Sequence, residues 1–140
     1  MMLDDRVLDE FIEEYQEFLK SIKLDGVVLD DVIREYPARK ARFSIALEKM
    51  RAKLAELKLK QKTLYYELYK EYRKEAIEKG LKITEEGLKS LVMTDSRYIE
   101  ISEEVIEAET KVGILEACKE ALDDQGRMLY LLYGNPERKF

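Results

Sequence analysis

Nine bases stand between Arg39 and Lys62: Arg39, Lys40, Arg42, Lys49, Arg51, Lys53, Lys58, Lys60 and Lys62. Only Glu48 and Glu56 oppose them there, and Tyr65, Tyr66, Tyr69 and Tyr72 follow directly. At about 100° per residue on a helix, these bases fall into two strips flanking an apolar row. Arg42, Lys49, Lys53 and Lys60 lie on one side, and Lys40, Arg51, Lys58 and Lys62 on the other. Cations in a row beside aromatic rings suit single-stranded nucleic acid. The cations track phosphates, and the rings stack on unpaired bases. A second chemistry fits the same residues. Charges flanking an apolar seam commonly pair with acids across a helix interface. The last third of the chain offers Glu100, Glu103, Glu104, Glu107, Glu109 and Glu116 as partners. The tyrosine spacing equally suits packing in a core. Pattern alone leaves both readings open.

The elements that must position these residues are helices. Leu8, Phe11, Ile12, Tyr15, Phe18, Leu19 and Ile22 recur at three-four spacing, which predicts an amphipathic helix from Leu3 to Leu24 with an acidic outer face. Asp25-Gly26 reads as its stop, and Leu29, Val32 and Ile33 as one or two further helical turns ending before Pro37. Pro37 is expected to open a long helix running to about Lys79. Its seam is Leu47, Met50, Leu54, Leu57, Gln61, Leu64 and Leu68, a heptad pattern that calls for another helix. Gln61 interrupts the seam with an amide, either as local packing near a helix edge or as a polar residue that fixes register. Gly80 ends the helix. Thr84 is expected to cap a short one carrying Leu88, Leu91 and Val92. Thr94 to Ser96 then offers the cap of a last long helix to about Leu132, with a seam of Tyr98, Ile101, Val105, Ala108, Val112, Leu115, Leu122, Leu129 and Leu132. Gly126 is expected to loosen its end, and Gly134, Asn135 and Pro136 to stop it.

The predicted fold class is therefore all-α: a long antiparallel helical hairpin with an additional N-terminal amphipathic helix, oligomerising through exposed apolar seams. Residues 1–140 read as a single helical domain. It divides into acidic N-terminal helices at 1–36, a long basic helix at 37–79, and a short helix plus a long C-terminal helix at 84–133.

Charge segregates along that order. Residues 1–36 carry four bases and eleven acids, residues 37–79 thirteen and six, and residues 80–140 eight and thirteen. The overall charge of −5 argues against indiscriminate polyanion binding, whereas the basic middle keeps a local site open. The chain has no histidine and one cysteine, Cys118. The usual general base, the commonest metal ligand and any intramolecular disulfide are thereby removed. There is no glycine-rich phosphate loop and no nucleophile elbow, so neither an enzyme nor a cofactor is expected. No run of about 18 apolar residues or signal-type start is found, so the chain reads as intracellular with no membrane partner.

Two segments, about Leu47 to Arg73 and Lys89 to Arg127, resemble the UvsY family of phage recombination mediators. The likeness rests on Lys60 and Lys62 before Tyr65-Tyr66, on the run Lys89-Ser90-Leu91-Val92-Met93-Thr94-Asp95, and on Gly113-Ile114-Leu115, Cys118, Ala121-Leu122-Asp123 and Arg127. The resemblance implies a non-catalytic, ring-like homo-oligomer. It would bind single-stranded DNA and help load a RecA-like recombinase onto DNA coated by a single-strand-binding protein, in the cytoplasm of a phage-infected bacterium. Lys60 and Lys62 match the family's DNA-contacting basic pair. Lys62 stands where an Arg is usual, which keeps the charge and loses the planar fork. A scaffolding coiled-coil oligomer without nucleic-acid binding is the alternative, and a regulator that masks a partner helix is a third reading.

Overall fold

The computed structural model describes residues 5–22 and 26–133. Four helices account for nearly all of them: α1 (Asp5–Ile22), α2 (Gly26–Glu78), α3 (Glu85–Met93) and α4 (Ser96–Tyr133). Among the described residues there is no strand. The side chains of Tyr15, Phe18, Leu19, Ile22, Leu29, Val32, Ile33 and Leu132 lie outside the described residues, as do Asp25 and the stop at 134–136.

The chain packs as two compact units, Met1–Arg51 with Lys111–Phe140, and Ala52–Thr110. In the first unit, Phe43, Leu47, Leu115 and Leu122 are almost wholly buried, joined by Met50, Val112, Cys118 and Leu129. Each such side chain contributes about 1.5–3 kcal/mol of transfer free energy. Leu8 of α1 is buried too, and Phe11 meets Phe43 edge-on at 5.4 Å. In the second unit Leu57 and Leu68 of α2 are buried, as are Leu88 and Val92 of α3 and Val105 and Ala108 of α4. Within each unit the contacts run in opposite senses along α2 and α4. Lys40 pairs with Asp123 and Arg51 with Glu116 in one, and Lys58 with Glu109 and Tyr72 with Asp95 in the other.

One expected boundary is corrected. Pro37 does not open a helix; it lies inside α2. Locally this is unfavourable, because Pro lacks the N–H for the carbonyl four residues back and disfavours helix at Tyr36, at a cost of about 3 kcal/mol. Tertiary packing offsets it. Tyr36 is 2 % exposed, and its hydroxyl donates to the Leu122 carbonyl at 3.2 Å. The ring occupies the space that a side chain on Gly126 would need. Gly126 is thus no loosened turn; it is a notch in α4 that receives Tyr36.

The ends of α2, α3 and α4 follow capping rules. Gly80 sits at φ 67°. Leu81 N donates to Ala76 O at 2.9 Å and Gly80 N to Ile77 O at 3.1 Å, the paired bonds of a Schellman stop. Thr84 caps α3 by accepting from Gly87 N at 3.0 Å. Asp95 caps α4 by accepting from Arg97 N at 2.8 Å.

Candidate nucleic-acid interface

The nine bases and the pair Tyr65-Tyr66 singled out by sequence do not share one role. Three make contacts between helices of the first unit. Arg39 donates to the Glu14 carbonyl at 3.1 Å and to Glu35 at 3.0 Å. Arg42 donates to Glu14 at 2.6 Å and lies over the Phe11 ring at 5.7 Å. Lys40 stands 3.7 Å from Asp123. These cations anchor α1 and α4 to α2, as the acidic flanks of the sequence allow.

The strip containing Arg51 and Lys58 faces acids of α4. Arg51 bonds Glu48 at 2.7 Å and stands 3.7 Å from Glu116, and Lys58 stands 3.8 Å from Glu109. These pairs are about half exposed, so each contributes little stability, roughly 0–1 kcal/mol. Their consequence is electrostatic: part of the strip's charge is already neutralised. Lys53 is half-buried. Lys49 is exposed, with no acidic partner among the described residues.

The open part of the pattern lies on α2 in the second unit. Lys60 stands 3.1 Å from Glu56, one turn back on its own helix, and holds that exposed carboxyl below its ordinary range. Lys62 is exposed and carries no ion pair among the described residues. The two tyrosines that follow separate in role. Tyr65 is half-buried and touches three rings: Tyr66 at 5.7 Å, Tyr69 at 6.4 Å and Tyr98 at 5.9 Å between centroids. It is a packing residue. Tyr66 is 56 % exposed and meets the Tyr65 ring edge-on. An exposed ring offers a face on which a base can stack.

Two further cations share the face of Lys62 and Tyr66 and lie outside the set singled out from sequence. Lys70 and Arg73 are exposed and likewise carry no ion pair among the described residues. The signal was present: Lys62, Tyr66, Lys70 and Arg73 follow each other at steps of four, four and three, one face of a helix. At a rise of about 1.5 Å per residue the row spans roughly 16 Å. The chemistry of this face is electrostatic attraction to a polyanion plus one open stacking surface.

The geometry behind this face is held by polar contacts toward α4. Gln61 donates to the Ser102 hydroxyl at 3.0 Å. The amide that interrupts the seam therefore has a specific partner. The Tyr72 hydroxyl donates to Asp95 at 2.5 Å, and Arg97 bonds both Asp95 (3.0 Å) and Glu71 (3.3 Å). Asp95 is held well below the usual carboxylate range, first by Arg97 and then by Tyr72. The same bond to Asp95 pushes the Tyr72 phenol up.

Comparisons of the chain with protein-family models, with curated proteins and with solved structures return no match. No helix among the described residues is long and apolar enough to cross a membrane.

Proposed function

We propose that this protein is a single-stranded-DNA-binding recombination mediator, which helps load a RecA-like recombinase onto DNA coated by a single-strand-binding protein. The observation that carries the reading is the exposed row Lys62, Tyr66, Lys70 and Arg73, cations that carry no ion pair among the described residues, around an exposed ring. The resemblance of Lys60, Lys62 and Tyr65-Tyr66 to the UvsY-type pattern supports it. In this reading Lys62 holds phosphate beside the stacking Tyr66, Lys60 adds its charge from the opposite strip of α2, and the protein does no catalysis. It acts as a long antiparallel hairpin assembled into a ring-like homo-oligomer. Large exposed apolar side chains on α4, such as Met128 (59 %), Tyr130 (54 %) and Leu131 (82 %), supply surface for that assembly. Repeating one weak row around a ring converts modest contacts into avid, salt-sensitive binding. Bending the strand over such a surface loosens its covering protein.

A scaffolding oligomer without nucleic-acid binding is the second reading. It is favoured by the pairs Lys58–Glu109, Arg51–Glu116 and Lys40–Asp123, which spend basic residues on α4 acids. The test is a loading assay. Recombinase ATP hydrolysis is followed on single-stranded DNA pre-coated with its covering protein, with and without this protein. A shortened lag, abolished by Lys60→Ala/Lys62→Ala in a variant of unchanged helicity and assembly size, supports the mediator. An unchanged lag at saturating protein supports the scaffold.

A further inference from the structure

Where α2 ends, three large apolar side chains stand in the open: Ile77, Leu81 and Ile83 are 70, 56 and 37 % exposed. The local backbone puts them there. The Schellman stop at Gly80 reverses the chain, and the Thr84 cap starts α3 only four residues later. Leu81 and Ile83 are thereby raised beside Ile77. With Tyr69, Arg73 and Glu85 they line an open cleft of about 270 Å³. That is just under the ~300 Å³ at which small-molecule sites begin, which is room for one ring system.

Two features say what enters. First, the cleft continues the face already described. Arg73, the last cation of the row Lys62, Tyr66, Lys70, Arg73, is one of its walls. A strand tracking that row arrives at the cleft's rim. Second, the polar groups sort the parts of a nucleotide. Arg73 attracts phosphate at the rim, whereas the Glu85 carboxylate repels it and accepts from an amine. The aliphatic side chains and one aromatic ring among its mixed walls suit the face of a base, and a carboxylate suits its exocyclic N–H₂. The geometry points to a pocket for one unstacked nucleobase of the bound strand, with cytosine or another amine-bearing base favoured over thymine. This rests on the strand-binding reading above and deepens it.

The test compares three fluorescent 20-mers of equal charge: dC, dT and an abasic sugar-phosphate strand. Binding is followed by anisotropy with the full chain, with Ile77→Gln/Leu81→Gln, with Glu85→Gln and with Tyr66→Ala. All four residues are exposed, so the fold should survive, and circular dichroism checks it. The expected order is dC, then dT, then abasic, with a dC-over-dT ratio of roughly 2- to 10-fold, the worth of one hydrogen bond. That ratio should collapse in Glu85→Gln, and both ratios should shrink in Ile77→Gln/Leu81→Gln. Tyr66→Ala should weaken the base-bearing strands yet keep the dC-over-dT ratio. Equal binding of all three strands, or ratios untouched by the cleft variants, overturns the pocket and leaves strand binding standing. A change in assembly mass in Ile77→Gln/Leu81→Gln with the ratios unchanged assigns the cleft to a second copy and also overturns it. No binding of any strand by the wild type removes the strand-binding reading itself, and the pocket with it.

Discussion

Gly126→Ala separates local from tertiary control of this fold, because the two predict opposite signs. On helix propensity alone, replacing a mid-helix glycine by alanine should stabilise by about 1 kcal/mol. The structure says otherwise. A Cβ at Gly126 would fall inside the contact radius of the Tyr36 hydroxyl and ring, with Tyr36 Cε1 at 3.0 Å. These are the ring's own atoms, buried to 2 % exposure. The ring cannot swing into solvent without leaving the core and losing its bond to Leu122 O. Forcing a methyl into a packed site costs about 1–3 kcal/mol, and the lost hydrogen bond about 1 kcal/mol more. Set against the propensity gain, a net loss of about 1–3 kcal/mol remains. For a chain of this size that lowers Tm by roughly 3–12 °C. Urea and thermal unfolding followed by circular dichroism measure it, at one fixed protein concentration so that any self-association is held constant. A Tyr36→Leu background completes a double-mutant cycle. With the ring removed, Gly126→Ala should be neutral or stabilising. A stabilised Gly126→Ala single variant would refute the notch, and with it the explanation for a helix that runs through Pro37.

Asp95→Asn should lower Tm at neutral pH, because asparagine can keep the cap on α4 but not the negative charge that Tyr72 and Arg97 bind. Since its folded pKa is depressed, its contribution is present above the unfolded value near ~4 and is lost as pH falls through the folded one. The gap between variant and wild type should therefore close as melting is repeated from pH 6 toward pH 2. Gln61→Leu or Ser102→Ala alone should cost about 0.5–1.5 kcal/mol by orphaning a half-buried partner, while the double variant returns to within about 0.5 kcal/mol of wild type. Tyr65→Ala should destabilise by roughly 1–3 kcal/mol through its three ring contacts. Tyr66→Ala should leave melting nearly unchanged and weaken a single strand about fivefold or more, as read by anisotropy.

The helices were legible because their seams repeat. Leu47, Met50, Leu57 and Leu68, and Val105, Val112, Leu115 and Leu122, are buried where their spacing places them. Gly80, Thr84 and Asp95 were legible as stops and caps because their chemistry is local. Pro37 and Gly126 were misread for one shared reason. Each looks like a breaker alone, and each is explained by the other's neighbourhood, 86 residues away through the Tyr36–Leu122 bond. No local rule contains that contact. The candidate site divides in the same way. Sequence supplied both the cations and the acids that compete for them, but a helical projection does not say which members of a strip meet an acid of α4. The structure gives Arg51 and Lys58 to Glu116 and Glu109 and leaves Lys62 open. It likewise turns Tyr65 inward and Tyr66 outward, a choice fixed by the Tyr98 ring of another helix. Lys70 and Arg73 lie beyond Lys62, outside the densest run of charge, although their spacing from Tyr66 marks the same face.

The most direct test of the central claim is single-strand binding itself. A fluorescent oligo-dT strand is titrated by anisotropy over about 50–300 mM salt, beside a matched duplex, with the wild type, Lys60→Ala/Lys62→Ala and Lys58→Ala. Single-strand binding should weaken linearly on a log–log plot, with a slope of about −0.7 per phosphate engaged. Removing Lys60 and Lys62 should make that slope shallower by about 1.4 per engaged protomer, and removing the Glu109-paired Lys58 should change it by much less. No single-strand binding at low salt by a helical, assembled protein would contradict the account and assign the basic rows to ion pairing alone.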